Sequence, residues 1–487
     1  MKKKFLAYVI AALFFLIIIT PIITANYDGG GELAIREKRY LAPKPILFRE
    51  DGHLNPNVFQ ESVKWFEDHF GMREHFVRLG SEFIFHVLGQ SPSPKVHIGK
   101  NGWYYYNADD NLEIATGQYQ MREDLLEKIL NTHLVLKEKL AEKGIEYIIV
   151  LPTSKVSIYP ENMLLPGSQL RRTPVDMVAD YLEQNSDLKV VRLKKVLLDE
   201  KPIHQAFLKN DTHWTQAGAY AAYKEIVTRM ADWGVCQTQP AAVEYVDGEY
   251  VGEFGPMMGI DLSAEKVLNT KIVEPAAIEN GVSDRYQRLQ EITAQEGIQR
   301  YCYYENPDVS GPRVALFGDS MFSGWNLPQL MGESFPMYAY IWDYNIREQI
   351  LEELEIDVVI FEATERNLRT VPTVAQDLLF SRLDAPDATI TGCQVEDSIL
   401  SVTVKNTGRQ PWSYVNQVKL GLFVDDKDTG IRVLLPDVKK TEAGQEVLFS
   451  IDLSDSGLSA DGVSVQMLQE GVQYFGQRRS TADMMAE

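Results

Sequence analysis

The feature that most constrains the fold is a repeated alternation of helical patterns with short apolar runs between about residues 120 and 361. Apolar positions from Leu126 to Leu140 fall at helical spacing, and Gly144 separates them from an apolar run at 145–151. Further apolar runs lie at 189–193, 313–317, 336–341 and 357–361, with helical patterns between them. Continuous apolar runs are typical of strands buried on both faces. The pattern therefore predicts an α/β fold, a doubly wound and mostly parallel sheet.

From about residue 386 the helical spacing disappears and β-type runs take its place. They lie at 398–405, 418–424, 430–435, 445–453 and 462–467, and turn residues such as Asn406-Thr407-Gly408 separate them. Five or more short strands within about 100 residues predict a small, immunoglobulin-like β-sandwich. The stretch Ala385-Pro386 marks the predicted boundary.

The N-terminus carries three lysines at positions 2–4, followed by 21 uncharged residues from Phe5 to Ala25. At about 1.5 Å per residue, a helix of this length spans ~31 Å, which matches the hydrocarbon core of a bilayer. The position of the lysines predicts a single-pass anchor with a cytoplasmic N-terminus and an extracytoplasmic remainder. A cleaved signal peptide is the alternative, and it leaves the later residues on the same side of the membrane.

These patterns predict four parts. Residues 1–28 form the lysine tail and membrane anchor, 29–119 an N-terminal arm with a helical lead-in, 120–385 the α/β catalytic domain, and 386–487 the β-sandwich module.

Charge and composition exclude several classes of function. The formal net charge is -21, which repels phosphate backbones and argues against a nucleic-acid partner. The three cysteines (Cys236, Cys302 and Cys393) fit neither a disulfide framework nor a zinc pattern. We find no nucleotide-binding glycine motif, and a chain outside the cytoplasm has no supply of ATP or NAD. We therefore expect hydrolysis, transfer between esters or binding, with no cofactor and no metal.

A serine nucleophile is predicted where the apolar run 313–317 leads directly into Gly318-Asp319-Ser320. Reacting groups in open α/β sheets collect beyond the carboxyl ends of the strands. We expect Gly318 to allow a sharp turn and Ser320 to begin a helix, where backbone N–H groups can stabilise an oxyanion. The alternative is an ordinary Gly-Asp-Ser turn without catalytic function.

The base and its orienting carboxylate are predicted in the segment Asp211-Thr212-His213, just before a helical pattern at about 215–233. Residues two apart in an extended loop face the same way, so Asp211 can orient the imidazole of His213 towards Ser320. Alternatively, Asp211 or Thr215 caps the helix and His213 is a surface residue.

Two other histidines are weaker candidates. His53 forms a second Asp-x-His pair with Asp51, but it lies in the proline-containing arm. His133 lies on an apolar helix face and is expected in the core.

Five short motifs, together with the N-terminal anchor, carry a family resemblance. They are DHFGMRE at 68–74, GKNGWYYY at 99–106, DTHW at 211–214, GDSM at 318–321 and EATER at 362–366. With them the chain resembles the SGNH-like alginate O-acetyltransferase family, the AlgX/AlgJ group. It is closest to the related extracytoplasmic DHHW proteins, with Thr212 in the second position of that signature.

This resemblance covers about residues 30–380 and implies an SGNH-hydrolase-like fold. It implies a Ser320–His213–Asp211 triad that accepts an acetyl group and passes it to a polysaccharide hydroxyl. The expected partners are the polysaccharide acceptor and a membrane-bound O-acyltransferase as acetyl donor.

The oxyanion hole is the part of the site that the sequence specifies least. Ordinary SGNH esterases add a separate glycine and an asparagine side chain, and neither is identifiable here. We expect the backbone N–H groups of Ser320 and Met321 to act as donors. Lys155 and Arg366, each on a loop after a predicted strand, are additional candidates or members of structural ion pairs.

Two tryptophans and the C-terminal module complete the predictions. Trp214 and Trp325 flank the proposed site, and their flat faces suit sugar rings, although each fits a half-buried core position equally well. The C-terminal module binds the polymer by analogy, or it serves as a spacer or docking unit.

Three functions stay open. They are acetyl transfer to a polysaccharide, an acetylesterase in which water replaces the sugar hydroxyl, and a catalytically silent scaffold in envelope assembly. The first two share the triad and differ in acceptor binding and water exclusion.

Overall fold

The computed structural model describes most of the chain. The described residues are 8, 14–16, 19–31, 33–34, 39–48, 52–119, 121–165, 172–370, 377–379, 382–396, 399–413, 416–424, 427–436, 440–453 and 460–486.

The elements are numbered here in chain order. The strands are β1 (Leu33–Ala34), β2 (Arg39–Tyr40), β3 (Val96–Ile98), β4 (Tyr104–Tyr106), β5 (Glu146–Leu151), β6 (Lys189–Arg192), β7 (Val243–Tyr250), β8 (Glu265–Ile272), β9 (Ile278–Glu279), β10 (Tyr301–Glu305), β11 (Arg313–Phe317), β12 (Met337–Ile341), β13 (Val358–Glu362), β14 (Ala388–Glu396), β15 (Ile399–Asn406), β16 (Val418–Val424), β17 (Lys427–Leu434), β18 (Glu446–Asp452), β19 (Ser464–Gln469) and β20 (Gln473–Ser480). The helices are α1 (Val58–His69), α2 (Arg73–His86), α3 (Asn111–Thr116), α4 (Glu123–Glu142), α5 (Lys155–Ile158), α6 (Pro174–Asn185), α7 (Lys194–Glu200), α8 (Gln216–Asp232), α9 (Phe254–Met258), α10 (Arg285–Gln295), α11 (Leu327–Ser334), α12 (Glu348–Glu353) and α13 (Thr481–Ala486).

A seven-stranded sheet forms the centre of the α/β domain. Its strand order is β6-β5-β13-β11-β12-β10-β9. The first five strands run parallel, whereas the β12–β10 and β10–β9 pairs are antiparallel. The mostly parallel sheet predicted from the apolar runs is therefore confirmed.

Helices cover both faces of this sheet. Each strand contributes side chains to both faces, because successive side chains of a strand point to opposite sides. In β5, Ile148 and Val150 enter one core, which includes residues of α8 and α11. Tyr147 and Ile149 enter the other core, which includes residues of α4, α6 and α12. This double cover explains why the strand sequences are continuously apolar.

A β-hairpin lies in the long insertion between α8 and β11. Strands β7 and β8 pair antiparallel in register from Val243↔Ile272 to Tyr250↔Glu265. The sequence pattern does not predict this hairpin, because charged residues interrupt the apolar residues of both strands. It matters for the site because Tyr250 and Glu253 contact Asp211, the predicted orienting carboxylate.

The C-terminal region forms two antiparallel sheets around a core of its own. A three-stranded sheet has the order β14-β15-β18, and a four-stranded sheet has the order β17-β16-β19-β20. Leu400, Leu420, Phe449 and the fully buried Trp412 belong to the core between them. The predicted β-rich character is confirmed, while the likeness to an immunoglobulin-like module and the boundary at 385 and 386 stay predictions.

About half of the predicted membrane anchor, Phe5 to Ala25, falls on residues outside the described set. Within the described ranges, no helix is both long and apolar enough to cross a membrane. The chain after it is tied to the α1–α2 turn, since the Asn26 N–H donates to the His69 carbonyl (2.9 Å).

Candidate active site

Ser320 lies directly beyond the carboxyl end of the central strand β11. It opens a one-turn 3-10 helix, Ser320–Phe322, whose N-cap is Asp319. The expected sharp turn at Gly318 does not depend on a positive φ, which Gly318 does not adopt. A Cβ on Gly318 would instead lie 2.3 Å from Oε2 of Glu362. Gly318 is needed because the neighbouring strand β13 brings a carboxyl group against it.

The Asp211–His213 segment approaches Ser320 from the loop before α8. The Nε2 atom of His213 lies 2.9 Å from Oγ of Ser320, and its Nδ1 atom lies 2.6 Å from Oδ1 of Asp211. The side chains of Asp211 and His213 are only 3% and 12% exposed. The capping alternative is wrong for Asp211, because Thr215 is the residue that caps α8. His213 is not a surface residue either.

The second carboxylate oxygen of Asp211 is held by the last residue of β7 and by the segment that follows it. The Tyr250 hydroxyl (3.3 Å) and the Glu253 backbone N–H (3.1 Å) donate to Oδ2. Burial acts to raise the pKa of Asp211, but the bond to the His213 ring, the His213 charge and the backbone N–H groups of His213 and Glu253 outweigh it, so the pKa lies below its usual value. The carboxylate is therefore available to orient His213. No local signal at Tyr250 or Glu253 could have indicated this contact.

Two buried carboxyl groups support the turn that carries Ser320. Asp319 accepts bonds from the Met321 N–H, the Thr364 N–H and hydroxyl, the Asn367 amide and the Tyr344 hydroxyl. Burial acts to raise the pKa of Asp319, but the nearby Arg366 charge and these donors lower it below the usual value. The carboxylate thereby fixes the backbone on both sides of the nucleophile.

Glu362 is the second of these groups and lies at the end of β13. Its Oε2 accepts the Asp319 N–H at 2.7 Å. Burial and the Asp319 charge raise the pKa of Glu362 well above its usual value. A third carboxylate, Glu365, accepts bonds from the Ser154 N–H and from the Thr153 and Ser157 hydroxyls, which ties the β5 loop to the same place. The EATER motif therefore supports the nucleophile turn.

The predicted oxyanion donors differ in what the structure leaves free. The Ser320 N–H has no acceptor among the described residues and faces no competing bond. The prediction for Met321 is wrong, because its N–H already donates to Asp319 Oδ1 at 3.1 Å. Arg366 is half-buried, makes no ion pair within the described part of the chain, and acts through its charge on Asp319.

Lys155 forms no ion pair with any of the described residues, and its ammonium faces backbone carbonyls rather than Ser320. It is the first residue of α5 and is 4% exposed. Its ammonium donates to the backbone carbonyls of Leu208, Lys209 and Asp211. Burial lowers the pKa of Lys155 to about 7, against the opposing charges of nearby acidic residues.

The two tryptophans have different environments. Trp214 is completely buried and packs edge-on against Phe322, so its predicted role as a sugar platform is wrong. Trp325 is half-buried and its ring stacks on the His213 imidazole, with centroids 4.1 Å apart. Trp325 has a φ of 58°, an uncommon conformation for a residue with a side chain. It also lines a cavity of about 310 Å³ between the nucleophile turn and the β7–β8 hairpin.

The remaining histidine and metal predictions are resolved only in part. His133 is buried, 2.8 Å from the Tyr147 hydroxyl, which confirms its core position. His53 is exposed in the arm, and Asp51 lies outside the described residues. Asp211, His213 and Glu253 each offer a ligand atom within 4.8 Å of the others. A metal ion held there would compete with the bond between Asp211 and His213, and the predicted absence of a metal stays a prediction.

Comparisons with known proteins find a family model and several relatives to which the chain is similar. A family model described as "SGNH hydrolase-like domain, acetyltransferase AlgX" matches residues 96–335. The chain is 27% identical over 189 residues to the "Probable alginate O-acetylase AlgJ" of Pseudomonas fluorescens, a match covering 35% of this chain and 43% of that protein. It is 26% identical over 299 residues to the Azotobacter vinelandii protein of the same name, covering 59% and 71%.

A solved structure also matches. A DHHW family protein from Eubacterium siraeum is 13% identical and aligns over 50% of this chain and 88% of its own, with a TM-score of 0.37. The first curated match thus spans less than half of its relative, while the family model covers the segments that bear Asp211, His213 and Ser320. Residues 96–335 of this chain belong to the SGNH hydrolase-like AlgX/AlgJ family.

Proposed function

We propose that the protein is a membrane-anchored, extracytoplasmic O-acetyltransferase that moves an acetyl group through Ser320 to a polysaccharide hydroxyl. The observation that carries the proposal is the continuous contact from Asp211 through His213 to Ser320. It lies at the carboxyl end of a central parallel strand, inside the part of the chain that matches an acetyltransferase family.

In the first half-reaction, Ser320 Oγ attacks the acetyl carbonyl carbon of the donor and transfers its proton to His213 Nε2. Asp211 keeps the Nδ1 proton in place and stabilises the imidazolium that forms. The free Ser320 N–H is the donor best placed for the developing oxyanion. His213 then gives its proton to the leaving oxygen, and acetyl-Ser320 remains.

In the second half-reaction, a sugar hydroxyl attacks acetyl-Ser320. His213 takes the hydroxyl proton and returns it to Ser320 Oγ as the acyl bond breaks. The products are the acetylated sugar and the free serine, so no cofactor is consumed. Water in place of the sugar would give acetate, and the same residues would then act as an esterase.

The membrane anchor, the extracytoplasmic location and the membrane-bound O-acyltransferase donor belong to this proposal. The uncharged run from Phe5 to Ala25 after three lysines supports the anchor. An anchor would hold the site beside a membrane-bound donor, which favours transfer over hydrolysis.

Full-length protein in detergent, supplied with a chromogenic acetyl ester, tests the proposal. The reaction is run with and without neutral and uronic oligosaccharide acceptors. Acetylated sugar that depends on Ser320 supports transfer. Ser320-dependent acetate release without acetylated sugar supports the esterase instead, and no Ser320-dependent turnover supports the scaffold.

A further inference from the structure

The loop that carries Asp211 is held in place by hydrogen bonds that its backbone carbonyl oxygens accept from other parts of the chain. Lys155 Nζ lies 3.0 Å from the Leu208 oxygen, 3.1 Å from the Lys209 oxygen and 2.6 Å from the Asp211 oxygen. The intervening carbonyl, that of Asn210, accepts the Phe254 N–H at 3.1 Å. All four carbonyls from 208 to 211 are therefore engaged, three of them by one ammonium group.

An aromatic cage surrounds that ammonium. Nζ lies 5.8 Å from the ring centre of Trp103, 5.2 Å from that of Tyr105 and 4.8 Å from that of Phe254. Trp103 and Tyr105 belong to the GKNGWYYY motif, to which the acetyl-transfer chemistry gives no role. The same motif contacts the loop directly, because the Tyr104 N–H donates to the Lys209 carbonyl at 2.9 Å. Ring faces attract cations, so the cage favours the charged lysine.

No carboxylate lies within ion-pair distance of Lys155 among the described residues. Its hydrogen-bond acceptors there are carbonyl oxygens. A buried ammonium needs all of these hydrogen bonds to offset the loss of its hydration. The three carbonyl acceptors belong to the segment that carries Asp211, the partner of His213. Lys155 itself is the first residue of α5, the helix that follows β5. The contact thus joins the sheet to the loop that presents Asp211.

We propose that Lys155 is a positioning residue, which holds the backbone of residues 208–211 so that the Asp211 carboxylate stays on Nδ1 of His213. This inference rests on the proposed function for its kinetic consequences. Lys155 touches neither the nucleophile nor the acetyl group, and it acts through Asp211. The GKNGWYYY motif then serves to cage the ammonium.

Lys155→Met tests the proposal, because it keeps an unbranched side chain only one atom shorter and removes the charge. Displacing a catalytic group by ~1 Å costs about 10²-fold in rate, so kcat for a chromogenic acetyl ester should fall by about that factor while KM stays within about two-fold.

Lys201→Met is the matched control. Lys201 also donates to a carbonyl, that of Ile158 at 2.6 Å, and lies 4.5 Å from the Tyr159 ring centre. It contacts none of residues 208–211, so its kcat should stay near that of the unaltered protein. Equal losses in the two variants would overturn the proposal.

A double variant separates positioning from general stability. If Lys155 acts through Asp211, adding Lys155→Met to Asp211→Asn should cost little more than Asp211→Asn alone. If the fold-loss in kcat of the double variant equals the product of the two single-variant losses, Lys155 acts on something other than the Asp211–His213 pair. That result would overturn the proposal.

A spectroscopic readout does not depend on turnover. The proton between His213 Nδ1 and Asp211 should give a low-field NMR resonance, which shifts or disappears in Lys155→Met and persists in Lys201→Met. If the unaltered protein shows no Ser320-dependent turnover, the proposed function fails, yet this resonance still decides the role of Lys155. Should Lys155→Met fail to fold, Lys155→Gln replaces it, because an uncharged amide with two N–H donors cannot hold all three carbonyls. A normal kcat and an unchanged resonance in Lys155→Gln would contradict the proposal.

Discussion

His213 Nε2 and Ser320 Oγ lie 2.9 Å apart although 107 positions separate the two residues in the chain. One residue precedes α8 and the other follows β11, so the meeting depends on the way the helix packs against the sheet. The α8 residues Ala219, Tyr223 and Ile226 lie in the same core as Leu316 of β11. The packing that stabilises the fold is therefore also what assembles the base and the nucleophile.

Asp211→Asn tests the orienting role of the carboxylate. An amide in place of Asp211 favours the wrong tautomer of His213 and cannot stabilise the imidazolium, so turnover should fall by about 10⁴-fold. Steady-state kinetics with an acetyl ester measures this loss. Asp199→Asn, at an exposed residue paired with Lys195, is the control. Near-normal turnover in Asp211→Asn would exclude Asp211 from the proposed role.

Gly318→Ala tests the explanation given for the glycine of GDSM. The added Cβ would lie 2.3 Å from Oε2 and 2.8 Å from Cβ of Glu362, so the turn must shift. We expect a loss of about 1–3 kcal/mol in the free energy of unfolding, typical of overpacking, together with lower activity. Gly324→Ala in the same loop meets nothing within 4 Å and should be tolerated. Denaturant unfolding of both variants measures the difference, and equal stability would argue against the packing explanation.

Glu362→Gln tests the raised pKa of this buried carboxyl. Because the folded-state pKa lies above the ordinary value of 4.5, the folded protein binds the proton more tightly than the unfolded chain does. Stability contributed by Glu362 is then present at pH below 4.5 and declines as pH rises towards the folded-state pKa. Glutamine does not titrate, so the Tm of Glu362→Gln minus that of the unaltered protein should increase as pH rises. Exposed Glu291→Gln is the control, and a Tm difference independent of pH would contradict the assignment.

The two tryptophans allow stability and activity to be separated. Trp214→Ala removes a fully buried ring and should cost about 3–5 kcal/mol of unfolding free energy. Trp325→Ala removes a half-buried ring stacked on His213, and a stacked pair contributes ~0.5–1.5 kcal/mol, or about 2- to 10-fold in rate. Thermal unfolding and kinetics on both variants check the contrast. A large Tm loss in Trp325→Ala without a kinetic effect would contradict the assignment of Trp325 to the active site.

Much of the fold could be predicted, because its signals are local. The runs at 145–151 and 357–361 are buried strands whose continuous apolar sequence reflects burial on both faces. The Asp211, His213 and Ser320 side chains could be proposed because each lies in a short motif beside a predicted element, and the sheet topology brings such motifs to one edge.

What could not be predicted depends on which elements are neighbours in space. The contact between Gly318 and Glu362 requires β13 to lie beside β11, and no local pattern specifies strand order. The sequence makes Lys155 a candidate for the reacting centre, because its loop follows a predicted strand. Its carbonyl partners could not be predicted, since they lie more than 50 residues later in the sequence. Trp214 adjoins His213 in sequence but lies in the core, because adjacent residues in the loop face opposite ways.

The most direct test of the central claim is peptide mass mapping of acid-quenched protein after brief exposure to an acetyl ester. We predict one acetyl group on the peptide containing Ser320, absent in Ser320→Ala and removed when an acceptor oligosaccharide is added. Ser320→Ala should keep its Tm within a few degrees. An acetyl group on another residue, or turnover that persists in Ser320→Ala, would contradict the account.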